Sequence, residues 1–214
     1  VMAVKDTVMR LAMAFPGTGF RLISDEKTVL SLPPQDSGER LAGLLGRDFI
    51  DNAMPIAAER EGIRLTGFAA LPTASRGTAQ YQYLFVNGRP VRDKLLAGAV
   101  RGAYADVLAR DRHPALALFL DVDPQEVDVN VHPAKAEVRF RDAALVRGMI
   151  VSALKHGLHR NGQSTAAPVS GAALSMFRPA NAPGVPPPYA SYTQTALAEA
   201  EIEDIIRRFA HVAT

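Results

Sequence analysis

Residues 128–140, which read DVNVHPAKAEVRF, constrain the fold more than any other part of the chain. Apolar and polar residues alternate on both sides of Pro133, and this period of two is typical of half-buried strands. Pro133 also disfavours the helical region for His132 and keeps the approach to the turn extended. The segment therefore predicts two strands joined by a stiff loop, with Lys135 at the tip of that loop.

Lys135 has two interpretations on this segment alone. A single cation on a rigid loop can meet a phosphate supplied from elsewhere, because a lysine ammonium is a compact point charge. It can equally be an ordinary lysine on a solvated loop, because most lysine side chains in proteins are exposed to solvent. Asn130 and His132 share a strand face with Asp128, so an Asp-His acid-base pair is the alternative to side chains that shape the loop by hydrogen bonding. The sequence shows no serine elbow or phosphate-binding glycine loop beside them, which favours loop shaping.

Two segments together resemble the MutL family of DNA mismatch repair ATPases. Residues 81–94 read YQYLFVNGRPVRDK and contain the family's VNGR block and its Arg-Asp pair followed by a basic residue. Residues 128–140 contain its DVNVHPAK and EVRF blocks. The blocks stand in the family's order and at about its spacing, and the resemblance covers roughly residues 1–160.

The resemblance implies an α+β fold, namely the transducer domain of the gyrase, heat-shock chaperone and MutL ATPase superfamily. This fold is related to the second domain of a small-subunit ribosomal protein, and it contains a left-handed strand-helix-strand crossover against the usual rule. We expect residues 1–15 to be the final helix of a missing ATPase domain and residues 16–160 to be the transducer domain. Residues 161–214 are proline- and alanine-rich, so we expect a linker with a short amphipathic helix over 202–209.

For Lys135 the resemblance implies a catalytic role, contact with the γ-phosphate of ATP, while Asn130, His132 and Pro133 support its loop. The intact protein is then an ATPase that binds ATP and Mg²⁺, and this chain alone is expected to hold neither and to hydrolyse nothing. The implied partners are DNA, the missing ATPase domain, the mismatch sensor MutS, a downstream repair nuclease or helicase, and a second copy in a homodimer. The implied location is the cytoplasm, with no membrane partner.

Lys94 and Arg101 are the predicted DNA-binding residues, together with Arg92 just upstream. They are seven residues apart on a predicted helix over 92–110, which places them on one face. The resemblance ties the basic residue after Arg-Asp to DNA binding, and a lysine there keeps the charge of the more frequent arginine without its bidentate grip. The alternative is a solvated basic face. The net charge of +2 and the pI near 9.0 are too mild to decide between them.

Other patterns predict the remaining elements and limit the chemistry. The chain has no cysteine, which excludes thiol nucleophiles and disulfides. A first helix carries an apolar stripe of Val1, Val4, Val8, Leu11 and Phe15, and the helix over 92–110 carries a stripe of Leu96, Val100, Ala103 and Val107. We also predict strands at 20–32, 48–55, 63–71, 81–86 and 115–122, helices at 39–45 and 143–158, and a flexible loop at 72–77.

Three other functions are open at this point: a standalone nucleic-acid-binding module of the same fold, a topoisomerase transducer, and an enzyme that uses His132. The HPAK loop after VNV argues against the second, and no complete catalytic set supports the third. His156 and His159 lack a visible third ligand for a metal ion. Residues 173–177 loosely resemble a sliding-clamp docking peptide without its leading glutamine, so a hydrophobic patch in the linker is favoured.

Overall fold

The computed structural model describes residues 2–128 and 137–165 and shows a mixed α+β fold in that part of the chain. Antiparallel and parallel strand pairs occur together, and helices cover the largest sheet on both faces. In chain order the elements are α1 Met2–Ala14, β1 Phe20–Ser24, β2 Lys27–Leu32, α2 Ser37–Leu45, α3 Arg47–Asp51, β3 Ala53–Arg60, β4 Ile63–Ala70, β5 Gln82–Val86, β6 Arg89–Val91, α4 Lys94–Tyr104, β7 Leu116–Asp121, β8 Val127–Asp128, β9 Arg139–Phe140 and α5 Ala143–Thr165.

The central sheet has five strands in the order β3-β4-β7-β5-β6. Its middle strand, β7, pairs antiparallel with β4 and parallel with β5. All residues from Leu116 to Leu120 are buried, which confirms the predicted strand that is covered on both sides. Because β5 and β7 are parallel and α4 lies between them in sequence, this connection is the strand-helix-strand crossover of the fold.

Each face of the sheet packs against its own group of helices. On one face, α4 and α5 contribute side chains such as Val100 and Ile150 to a core with alternate sheet residues, including Leu118. On the other face, Met13 of α1 and neighbouring side chains of α2 and α3 cover an aromatic centre. There the rings of Phe85 and Phe119 stack with centroids 4.7 Å apart and an interplanar angle of 11°.

The short-range turn signals predict the structure well. Residues 20–32 form the expected hairpin, with Asp25 and Glu26 both at positive φ in its turn. Asn87 and Gly88 have φ values of 48° and 72°, as an Asn-Gly hairpin turn requires, and join β5 to β6. The helix predicted at 39–45 begins at Ser37 instead, because the side chain of Asp36 accepts the amide of Glu39 at 2.9 Å and caps it.

Two predicted segments are wrong. Residues 48–51 belong to the short helix α3 and not to a strand. Gly46, at a φ of 96°, ends α2, and the helical turn that follows it places the side chain of Phe49 in the core. The loop at 72–77 is tied down and not free. Arg76 exchanges two backbone hydrogen bonds with His113, at 2.7 and 2.8 Å, and Arg112 donates to the carbonyl of Ser75 at 2.6 Å.

Both predicted helix stripes need correction. Helix α4 ends at Tyr104 and not at residue 110, and Val107 is 47% exposed. Tyr104 takes the buried position, and its hydroxyl donates to the carbonyl of Ala70 at 2.7 Å. Burial accordingly raises the pKa of Tyr104. In α1, Met13 is buried with its neighbour Ala12, whereas the predicted stripe residues Val4, Leu11 and Phe15 are exposed and Val8 is half-buried.

Several predictions fall outside the described residues. These are Val1, the loop residues Asn130, His132, Pro133 and Lys135, the docking-peptide resemblance at 173–177 and the helix at 202–209. Helix α5 confirms the helix predicted at 143–158 and continues to Thr165, past the expected start of the linker. In the part of the chain that the structure describes, no helix has both the length and the apolarity needed to cross a membrane.

Candidate nucleic-acid interface

The start of α4 is fixed by its capping residue, Asp93. The Asp93 carboxylate accepts the amides of Leu95 and Leu96 at 2.8 and 3.0 Å, and Asp93 itself is buried. An aspartate in this position satisfies amides that the helix leaves unpaired. Lys94 therefore becomes the first helical residue, and its side chain is exposed.

Lys94 and Arg101 lie on the exposed face of α4, as predicted. The opposite face carries buried residues such as Ala99 and Val100. Seven residues of helix separate the two cations by about 10 Å along the axis. A Cβ built on Gly98 meets no heavy atom within 4 Å, so no side chain fills the surface between Lys94 and Arg101 at this position.

The surface of α4 forms one wall of an open groove, which we call the α4 groove. Its other wall is the segment that follows the helix, including Arg110, Arg112 and His113. Among the described residues that line it there is no aspartate or glutamate. The α4 groove therefore brings Lys94 and Arg101 together with two further arginines. The run RDRH at 110–113 was the available signal for them, but the helix was expected to reach residue 110.

Arg92 lies in a neighbouring depression, which we call the α1 depression because it is also lined by Asp6 and Arg10 of α1. An Arg92 guanidinium nitrogen is 3.9 Å from the Asp6 carboxylate, and Arg92 is 75% exposed. Asp6 accepts a closer hydrogen bond, 2.9 Å, from Arg10. The α1 depression and the α4 groove share Lys94 as a lining residue, so the three predicted cations lie on one continuous surface.

Two nearby carboxylates, those of Asp106 and Asp6, are engaged by cations, whereas Asp111 is exposed between Arg110 and Arg112 in the chain. The Asp106 carboxylate, next to the α4 groove, accepts a hydrogen bond from the Lys155 ammonium at 2.9 Å. That hydrogen bond and the charge of Lys155 hold the pKa of Asp106 below its usual value. Asp6 faces both Arg10 and Arg92. The α4 groove has a positive surface that attracts anions, because its described lining contains four lysine or arginine side chains and no carboxylate.

The loop that carries Lys135 begins and ends at a described strand pair. Val127 pairs with Phe140 and Asp128 with Arg139, and Phe140 is buried in the core. Arg141 donates to the Glu126 carboxylate at 3.0 Å beside this pair. The base of the loop is therefore anchored, whereas Asn130, His132, Pro133 and Lys135 lie outside the described residues.

Metal binding has no support in the part of the chain that the structure describes. No three side chains among His, Asp and Glu come together there in a group that could hold an ion. His156 and His159 are both exposed on α5. We therefore assign no Mg²⁺ ligands to the described residues.

Known proteins are similar to this chain in sequence and in fold. A family model described as "DNA mismatch repair protein, C-terminal domain" matches residues 41–159, more than half of the chain. The DNA mismatch repair protein MutL of Rhodospirillum rubrum is 58% identical over 188 residues, 85% of this chain and 30% of that protein. MutL of Phenylobacterium zucineum is 53% identical over 197 residues, 90% of this chain and 32% of that protein. The chain thus spans about a third of the length of the curated relatives it matches.

A solved structure supports the fold. The crystal structure of the N-terminal domain of a DNA repair protein matches with a TM-score of 0.64 and 18% identity, over 76% of this chain and 54% of that one. An identity this low bears on the fold alone. Together with the family match, it confirms the expected α+β transducer class. The chain belongs to the MutL family of DNA mismatch repair proteins.

Proposed function

We propose that this chain is the part of a mismatch repair protein that holds the DNA backbone in the α4 groove. The observation that carries the proposal is the clustering of Lys94, Arg101, Arg110 and Arg112 around a groove with no acidic residue among its described lining. Cations on such a surface neutralise phosphates whatever the base sequence is. We therefore expect binding without sequence preference.

The position of Lys94 supports this role. It occupies the first turn of α4, which contains no acidic residue. The amino-terminal end of a helix has a partial positive charge, so a lysine is less favourable there than an acidic residue. The amides of Leu95 and Leu96 are already taken by the Asp93 carboxylate, so a phosphate in the α4 groove would be attracted by the exposed ammonium of Lys94. The residue is thus better suited to bind an anion than to stabilise the helix.

Replacing Lys94 with glutamate should flatten the salt dependence of DNA binding. Loss of one phosphate contact lowers the slope of log K against log salt by about one. The measurement is fluorescence anisotropy of a labelled 20-base-pair duplex with the 214-residue chain across a salt series. Lys27→Glu, in the β2 strand of the first hairpin, makes the same charge change at another exposed lysine. Equal slopes for Lys94→Glu and the unmodified chain would contradict the proposal. If Lys27→Glu lowered the slope by the same amount, the effect would come from the net charge of the chain and not from a contact in the α4 groove, which would also contradict the proposal.

We also propose that Lys135 contacts the γ-phosphate of ATP held by another domain of the longer protein, with Asn130, His132 and Pro133 supporting its loop. The proposal rests on the DVNVHPAK resemblance and on the anchored strand pair at the base of the loop. In the longer protein, Lys135→Ala should lower ATP turnover at least about tenfold, because a hydrogen bond to a charged group contributes roughly 1.5–3 kcal/mol. Lys27→Ala serves as the control, and turnover within a factor of two of the unmodified protein would refute this role.

For the longer protein, we propose the remaining family properties. They are binding of ATP with Mg²⁺, nucleotide-dependent homodimerisation, contacts with MutS and with a repair nuclease or helicase, and a cytoplasmic location. The support is the identity of 53–58% to MutL proteins over most of this chain. The same relatives are about three times as long as the matched segment, which argues against a standalone nucleic-acid-binding module.

A further inference from the structure

We propose that Tyr81 is a stacking platform for an unpaired base of a nucleic acid whose backbone lies in the α4 groove. The inference rests on the proposed DNA-binding function and goes beyond it by assigning a base contact. Tyr81 ends a short 3-10 turn, Ala79–Tyr81, just before β5. Its side chain is 41% exposed, while Tyr83, two residues later, is buried.

The ring of Tyr81 has a cationic partner. The guanidinium carbon of Arg76 lies 5.7 Å from the Tyr81 ring centroid, within the range of a cation–π contact. The Arg76 backbone is fixed by its two hydrogen bonds to His113, which lines the α4 groove. The ring is therefore oriented by a segment that is joined to the wall of the α4 groove.

Tyr81 also lies beside the proposed phosphate contacts. It lines the α1 depression with Arg10, Arg92 and Lys94, and with Asp6 and Asp93, whose carboxylates are bonded to Arg10 and to the amides of α4. Ala79, Gln82, Lys94 and Ala97 line both this depression and the α4 groove. A strand whose phosphates contact Lys94 therefore passes along the surface that carries the exposed ring.

This combination of cations and an aromatic ring fits one class of ligand. Proteins that bind single strands combine a positive groove with aromatic rings on which bases stack, and the stacking tolerates any base because every base has a π face. A base pair inside a duplex is already stacked on its neighbours and offers no free face. Tyr81 should therefore favour single-stranded over duplex DNA, whereas the phosphate contacts of Lys94 serve both.

Tyr81→Ala should weaken binding of a labelled 20-nucleotide oligothymidylate to the 214-residue chain by about tenfold, as expected for loss of one base–aromatic stack. Binding of a duplex of the same length should change less than about twofold, because its phosphate contacts are kept. Tyr81→Phe keeps the π face and should bind like the unmodified chain. Val107→Ala, which shortens another exposed apolar side chain, is the matched control. The readout is anisotropy at fixed salt, with circular dichroism to check folding.

A second oligonucleotide separates stacking from shape. With a strand in which every base is replaced by an abasic site, the unmodified chain and Tyr81→Ala should bind equally. Equal losses for single-stranded and duplex DNA in Tyr81→Ala, or no loss for either, would overturn the stacking role. If Lys94→Glu still weakens both ligands, the α4 groove proposal survives that outcome. If the unmodified chain binds neither ligand, both proposals fail.

Discussion

Arg40→Met should lower the free energy of unfolding by about 4 kcal/mol, because it takes the guanidinium donor away from several buried or partly buried carbonyl groups. Arg40 is fully buried. Its guanidinium pairs with no carboxylate among the described residues. Its acceptors are the carbonyl oxygens of Ala12 at 2.9 Å, Phe15 at 3.5 Å, Pro16 at 2.7 Å, Thr18 at 2.8 Å and Pro33 at 2.7 Å, and the side-chain oxygen of Gln35 at 3.2 Å.

The expected loss of stability comes from the hydrogen bonds that the carbonyl oxygens would lose. The carbonyls of Ala12, Phe15, Pro16 and Thr18 end or follow α1, where the helix leaves carbonyls unpaired and has a partial negative charge. Burial lowers the pKa of Arg40, since it disfavours the charged form, yet an arginine remains protonated in proteins. Methionine fills much of the same space but donates no hydrogen bond. The carbonyls of Ala12, Thr18 and Pro33 would then lose the donor that Arg40 gives them. Those of Phe15 and Pro16 would keep the backbone amides of Thr18 and Gln35.

The measurement is urea-induced unfolding followed by circular dichroism. Arg47→Met is the matched control, because Arg47 is exposed on α3, and its effect should stay within about 0.5 kcal/mol. Arg40→Lys keeps the charge but loses the planar fork of donors, so its stability should fall between the other two. A loss below about 1 kcal/mol in Arg40→Met would show that water replaces the guanidinium at no great cost.

Gly67→Ala should have an effect of similar size for a steric reason. Gly67 lies in β4 at a φ of 137°, opposite Leu118 of the central strand. A Cβ there would lie 2.0 Å from the carbonyl oxygen of Ala117, which is backbone and cannot move aside alone. The clash and the backbone strain together should lower the free energy of unfolding by about 4 kcal/mol.

The matched control is Gly148→Ala in α5. A Cβ at Gly148 meets no heavy atom within 4 Å, and alanine is favoured over glycine in helices by about 1 kcal/mol. We therefore expect opposite signs for the two substitutions in thermal unfolding. Similar melting temperatures for Gly67→Ala and the unmodified chain would show that β4 and β7 can separate locally to admit a methyl group.

Local sequence signals predicted the parts of this fold that depend on neighbouring residues. The Asn87-Gly88 turn and the apolar run of β7 needed no knowledge of the rest of the chain. Arg40 could not be predicted in the same way. All but one of its acceptors are backbone carbonyls, up to 28 residues away, and no side-chain pattern in the sequence marks them. A buried arginine with no carboxylate among its described partners also departs from the usual preference of arginine for the surface.

The same difference between local and long-range contacts explains why only part of the candidate site could be predicted from the sequence. Lys94 and Arg101 follow from helical spacing, and the structure places them on one exposed face. Arg112 joins them only because α4 ends early and the chain folds back to bond Ser75. Where α4 ends depends on Tyr104 reaching Ala70 across the sheet, a tertiary contact that periodicity does not contain.

The hydrogen bonds of Arg40 have a mechanical consequence. One side chain on α2 binds the end of α1 and the residue that follows β2, so these three segments meet at a single cation. Rotation of α1 about its own axis must break those bonds or carry the first hairpin with it. As long as the Arg40 hydrogen bonds hold, α1, the first hairpin and α2 would therefore move together when α1 rotates.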